Sequence, residues 1–87
     1  MDRELTKIYF DMFDEALELT EVIERKLNLM YETVYSCYIA VDKEETKEFF
    51  VDIEVGGSSS SYRRWRGLYT RKRLEKIFRL NEGCECI

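Results

Sequence analysis

LTKIYFDMFDEALELTEVIERKL, residues 5–27, and VYSCYIAVDKEETKEFFVDIEV, residues 34–55, decide the fold, because the spacing of apolar residues changes between them. In the first stretch Leu5, Ile8, Tyr9, Met12, Phe13, Ala16, Leu19, Ile23 and Leu27 recur at the i, i+3, i+4, i+7 interval that lines one face of an α-helix. The chain has no proline, and no glycine before Gly56, so nothing interrupts a helix from about Arg3 to about Leu27. Asn28, which tolerates left-handed backbone, is the expected stop. At 1.5 Å per residue this helix is roughly 37 Å long, more than so small a domain measures across, and one end is expected to project or to meet another chain.

In the second stretch the period is two. Tyr35, Cys37, Ile39 and Val41 alternate with Val34, Ser36, Tyr38 and Ala40, and beyond the polar stretch 42–46, Phe49, Val51, Ile53 and Val55 alternate with Phe50, Asp52 and Glu54. Two antiparallel strands follow, with one apolar face that the preceding helix is placed to cover. Gly56, Gly57 and Ser58 to Ser61 read as a flexible hairpin loop, too short for a domain linker. Tyr62 to Arg66 reads as a third strand completing a meander, Gly67 as punctuation, and Thr70 as the cap of a short helix. That helix carries an apolar stripe of Leu74, Ile77 and Phe78 and is expected to end near Gly83. The expected architecture is α+β: a long N-terminal helix on a two- or three-stranded antiparallel sheet, then a short C-terminal helix, all in a single domain spanning residues 1–87.

Composition limits the chemistry. With 87 residues the chain supports one core. It holds no apolar run of membrane-spanning length and opens on charged residues instead of a basic-then-apolar leader, which predicts a protein outside the membrane and in the cytoplasm, the host's if the chain is viral. The odd number of cysteines, with Cys84 and Cys86 too close to bridge each other without strain, fits free thiols in a reducing compartment, although pairing with Cys37 or across a dimer is compatible with the count. There is no histidine, so the commonest neutral-pH base and metal ligand are absent. Three thiols fall short of the four ligands of a structural zinc site, and Cys84 and Cys86 beside Glu85 make poor nucleophiles. No enzymatic activity, metal or cofactor is expected.

Charge is unevenly divided. The net charge of −4 is the sum of −9 over residues 1–54, with fifteen acids and six bases, and +5 over residues 55–87, with eight bases and three acids. Either the halves neutralise each other within the fold or they face charged partners. Four candidate sites result. On the helix Glu4, Asp11, Asp14, Glu15, Glu18 and Glu21 lie opposite the core stripe, relieved by Arg3, Lys7 and Arg25, at spacings close to those of successive phosphates. Phe10 and Leu17 share a stripe with Asp14 and Glu21, giving an apolar strip edged with charge, unless another element of the fold covers it. Tyr62, Arg63, Arg64, Trp65, Arg66, Tyr69, Arg71, Lys72 and Arg73 interleave cations and aromatics as single-stranded nucleic acid requires, with Lys72, Lys76 and Arg79 continuing a basic line, but the same residues fit a buried Trp65 and arginines paired with the acidic helix. The loop 56–61 followed by Arg63, Arg64 and Arg66 is compatible with a phosphate cradle or a plain hairpin.

The leading expectation is a protein–protein interaction module that blocks a larger partner with a basic nucleic-acid-binding surface, through Phe10, Asp11, Asp14, Glu15, Leu17, Glu18 and Glu21. Small size, acidity and the lack of catalytic residues match, by analogy alone, inhibitors of the anti-defence or anti-CRISPR type carried by phages and mobile elements. The alternative is an RNA- or single-stranded-DNA-binding domain using residues 62–73. A homodimer through the long helix is compatible with either.

Overall fold

A computed structural model of the chain describes residues 3–80, and of Leu5 the backbone alone. It is an α+β fold: α1 (Arg3–Met30), β1 (Thr33–Lys43), β2 (Glu48–Gly56), β3 (Arg63–Thr70) and α2 (Arg71–Ile77). The strands form an antiparallel meander in the order β1-β2-β3, with Cys37 opposite Ile53 and Ile53 opposite Trp65. Both helices cover one face of it.

Burial follows the two sequence periods. Phe49, Val51, Ile53 and Val55 of β2 point alternately into the core, against Met12, Ala16, Leu19, Ile23 and Leu27 of α1, Ile39 of β1, and Leu74 and Phe78 of the C-terminal segment. Each of the four β2 side chains is essentially inaccessible to solvent. Two members of the expected core stripe depart from it: Tyr9 and Phe13 are exposed. At 100° per residue the line Ile8–Met12–Leu19–Ile23–Leu27 faces the sheet, while Phe13 lies to one side of it with Thr20, the side on which β1 runs. Because β1 is an edge strand, no strand or helix among the described residues lies beyond it to cover that flank.

α1 continues past the expected stop at Asn28 to Met30, since no residue there forces an end; Tyr31 closes it by donating to the Leu27 carbonyl at 2.8 Å. Its 28 residues span about 42 Å, and the longest dimension of the molecule is 49 Å. β3 also runs further than expected. Gly67 does not punctuate; it pairs with Val51 inside the strand at φ 140°, and because a Cβ there would meet nothing within 4 Å, backbone conformation alone favours glycine. Thr70 caps α2 as its sequence predicts, accepting from the Arg73 amide at 3.3 Å. α2 ends at Ile77, earlier than the expected end near Gly83, which lies outside the described residues. Arg79 takes a left-handed φ of 55°, the Leu80 amide returns to the Glu75 carbonyl, and Lys26 Nζ closes the helix by donating to the carbonyls of Phe78 (2.9 Å) and Arg79 (2.7 Å).

The Gly-Ser loop is organised by one carboxylate instead of being a free hairpin. Glu32 Oε1 accepts from Ser58 Oγ (3.0 Å) and the Ser59 amide (3.1 Å), and the Glu32 amide donates to Ser60 Oγ. A Cβ at Gly57 would run into the Glu32 side chain, and φ there is 136°. Among the described residues, no helix is long and apolar enough to cross a membrane.

Ile53 packs at the centre of this core, so Ile53→Ala is expected to lower unfolding free energy by about 2–5 kcal/mol. Ile53→Val is expected to cost about 0.5–1.5 kcal/mol. Urea denaturation of the two variants checks the order; equal effects would place the residue outside the packed centre.

Candidate functional site

The seven residues of the expected acidic site occupy two flanks of α1. On one, Arg71 at the start of α2 reaches three carboxylates: Nη1 lies 3.1 Å from Glu15 Oε2 and 3.2 Å from Glu18 Oε1, and Nε lies 2.8 Å from Glu75 Oε2. The hydrogen bond to Glu75, with those to Glu18 and Glu15, raises the affinity of this guanidinium for its proton. Glu15 and Glu18 are thus spent within the fold, and Asp11 projects on their side of the helix.

On the other flank Phe10, Phe13 and Leu17 follow one another at i, i+3 and i+7, exposed by 60%, 45% and 58%. Tyr9 extends them, stacking near Phe13 with ring centres 6.4 Å apart and meeting Phe10 edge to face at 5.6 Å. Asp14 and Glu21 border this strip. Among the described residues Asp14 makes no side-chain hydrogen bond or ion pair, and Glu21 pairs only with the exposed Arg25, at 3.8 Å. Tyr9 and Phe13 were legible in the sequence as apolar residues, but their spacing assigned them to the core.

The basic and aromatic residues of 62–73 are also divided. Arg64 and Arg66 stand on the uncovered face of the sheet and share Asp52, Arg64 through a two-pronged hydrogen bond at 3.2 Å and Arg66 at 3.8 Å. The bond from Arg64 holds the Asp52 carboxyl below the usual carboxylate range. Arg66 also lies over the Phe50 ring, which meets Tyr38 edge to face. With exposed Leu68 opposite Phe50 and Tyr62 donating to Glu54 at 2.7 Å, these residues form a mixed aromatic and charged surface in which Tyr38, Phe50 and Leu68 join the expected Tyr62, Arg64 and Arg66. That bond raises the Tyr62 pKa. Trp65 and Tyr69 instead turn to the helix-covered side, Trp65 edge to face with Phe78 at 5.0 Å. Arg63 caps the Trp65 ring and Arg73 the Tyr69 ring, each at 5.0 Å. Lys72 is exposed on α2 beside Arg71.

The remaining sequence candidates resolve differently. The Gly56–Ser61 loop does cradle an anion, but the anion is the Glu32 carboxylate of the same chain, whose pKa is lowered chiefly by the Ser59 amide. Cys37 is a free, partly buried thiol whose Sγ lies 3.9 Å from the Thr20 carbonyl; burial, with Glu24 nearby, pushes its pKa up to about 11. Cys84 and Cys86 lie outside the described residues. Among the described residues no group of three or more potential ligands could hold a metal ion. Compared with known proteins, the chain matches no family model, no curated protein and no solved structure.

Two expectations follow. The Arg71 side chain is 38% exposed, so solvent screens its ion pairs, and Arg71→Ala is expected to cost only about 1 kcal/mol, less as salt rises; urea midpoints at low and high ionic strength check it. Cys37 keeps its proton in the folded state between its ordinary pKa near 9 and about 11. Its contribution to stability is therefore full below pH 9 and is lost as pH climbs through 11. Alkylation of Cys37, followed by peptide mapping, should be slow at neutral pH and accelerate toward pH 11; fast neutral labelling would contradict the buried thiol.

Proposed function

We propose that this chain is a small protein-binding module that docks through the Phe10, Phe13 and Leu17 flank of α1 into an apolar groove rimmed with basic side chains. The observation carrying this reading is the strip itself: large apolar side chains, contiguous on one helix flank, that no other described element covers. A helix laying i, i+3, i+7 anchors into a groove is a recurring mode of protein recognition, in which a few apolar anchors supply most of the energy. Asp14 and Glu21 beside the strip fit lysines or arginines on the groove's rim, and rim charges chiefly set encounter rate and partner choice. Basic grooves of this kind belong to proteins that handle nucleic acid, and occupation of one by α1 would block that partner, as an inhibitor does.

Direct nucleic-acid binding by residues 62–73 finds less support in the geometry. A polyanion needs unneutralised cations on one surface, whereas Arg64 and Arg66 share Asp52, Arg71 holds Glu15, Glu18 and Glu75, and Trp65 faces the opposite side of the sheet from Arg64 and Arg66.

Phe10→Ala with Leu17→Ala is expected to weaken partner binding by about 30-fold or more, as loss of central anchors does. Because both side chains are exposed, stability should stay within about 0.5 kcal/mol of the parent. Asp14→Lys with Glu21→Lys should slow association and flatten its salt dependence. Affinity capture with quantitative mass spectrometry, followed by titration of the purified partner, measures both; the Arg64→Ala, Arg66→Ala pair on the sheet face is the control. Binding that survives the helix variants and disappears in the control would transfer the site to the sheet.

A further inference from the structure

The end of the fold where α1 finishes, β3 begins and α2 terminates encloses a groove of about 500 Å³. Its floor is aromatic, from Tyr31, Trp65 and Phe78, and its rim is cationic, from Lys26, Arg63 and Arg79. Among the described residues no acidic side chain lines it. The chain as a whole carries a net charge of −4, and the contrast with three arginines elsewhere in the fold sharpens the point. Arg64, Arg66 and Arg71 each meet a carboxylate, whereas among the described residues Arg63 and Arg79 meet none. Arg63 instead lies over Trp65, 5.0 Å from the ring centre. Lys26 spends two of its three N–H donors on the carbonyls of Phe78 and Arg79, which fixes its ammonium in place and leaves one donor available.

We propose that this groove binds an anionic aromatic small molecule of mononucleotide size, a planar ring carrying a phosphate. Its volume falls within the roughly 300–1,000 Å³ of small-ligand sites, whose usual make-up is apolar and aromatic walls with a few convergent polar groups. The ring enters among Tyr31, Trp65 and the Arg63 guanidinium, all planar surfaces that stack on a base. The phosphate meets Arg79, Arg63 and the third proton of Lys26, charge-assisted donors that suit its oxygens. Neither the apolar strip of α1 nor the sheet face takes part, so the site stands or falls independently of the protein-docking reading.

Trp65 is the sole tryptophan and reports occupancy directly. Adenosine 5′-monophosphate, adenosine and inorganic phosphate are each titrated into the full chain, with tryptophan emission and calorimetry as readouts. The monophosphate should saturate and quench Trp65, bind at least about tenfold more tightly than either fragment, and weaken as salt rises, because the contact is partly ionic. Arg63→Ala with Arg79→Ala should lower its affinity about tenfold or more by calorimetry while the far-ultraviolet circular dichroism stays unchanged. Arg64→Ala with Arg66→Ala on the opposite face should leave binding intact. The proposal is overturned if the monophosphate gives no saturable signal up to millimolar concentration, if inorganic phosphate binds as tightly, or if the Arg63/Arg79 variant binds unchanged.

Discussion

The central strand sets the terms for the rest of the molecule. β2 hydrogen-bonds on both edges and sends Phe49, Val51, Ile53 and Val55 to the same side, where each is sealed from water. Four such side chains in nine residues can be hidden only under a continuous apolar surface as long as the run from Phe49 to Val55. α1 provides it from Met12 to Leu27, and because apolar burial is roughly proportional to area, this one contact outweighs any polar interaction in the fold. The ion pairs, caps and loop contacts are arranged around a layer they do not create.

A three-stranded sheet is nevertheless wider than one helix, and the way the remainder is covered decides where the chain has surface to offer. α2 is seven residues long and covers the β3 side, held to α1 by Arg71 at its start and by Lys26 at its end. Among the described residues no counterpart lies beyond β1. The apolar strip of α1 therefore opens on the β1 flank, and the groove opens at the far end, where α2 stops short of filling the corner beneath Trp65. Both candidate sites follow from a single mismatch between the width of the sheet and the length of its second cover.

Much of this was legible in the residues. The change of period from 3.6 to two separated α1 from the strands, Thr70 marked the start of α2, and Phe10 and Leu17 stood apart from the helix core on spacing alone. What the sequence hid depended on tertiary placement. Tyr9 and Phe13 satisfy helical spacing, but the angle at which α1 meets the sheet excludes them from the core. Gly67 looked like a boundary because glycine usually is one, yet its unusual backbone is absorbed inside a paired strand. Residues 62–73 read as one basic surface because sequence proximity is not surface proximity: strand alternation sends Arg64 and Arg66 to one side and Arg63 and Trp65 to the other. The groove joins residues from Lys26 to Arg79, a separation that no local pattern exposes.

The division of charge between the two halves of the chain takes on a definite meaning in this arrangement. Part of it is internal: Arg71 meets Glu15 and Glu18 across the helices, and Arg64 and Arg66 meet Asp52 across adjacent strands. Even Glu32 is met, by the serines of the only low-complexity segment. Pairs of this kind add little stability where water reaches them, but they remove charge from the surfaces on which they sit. Other charges, Asp11, Lys72 and Arg73 among them, meet no opposite charge among the described residues. Two groups of unpaired charges stand beside apolar surface, carboxylates along the helix strip and cations around the aromatic groove, and each combination would couple a non-directional source of affinity to a charge that selects the partner.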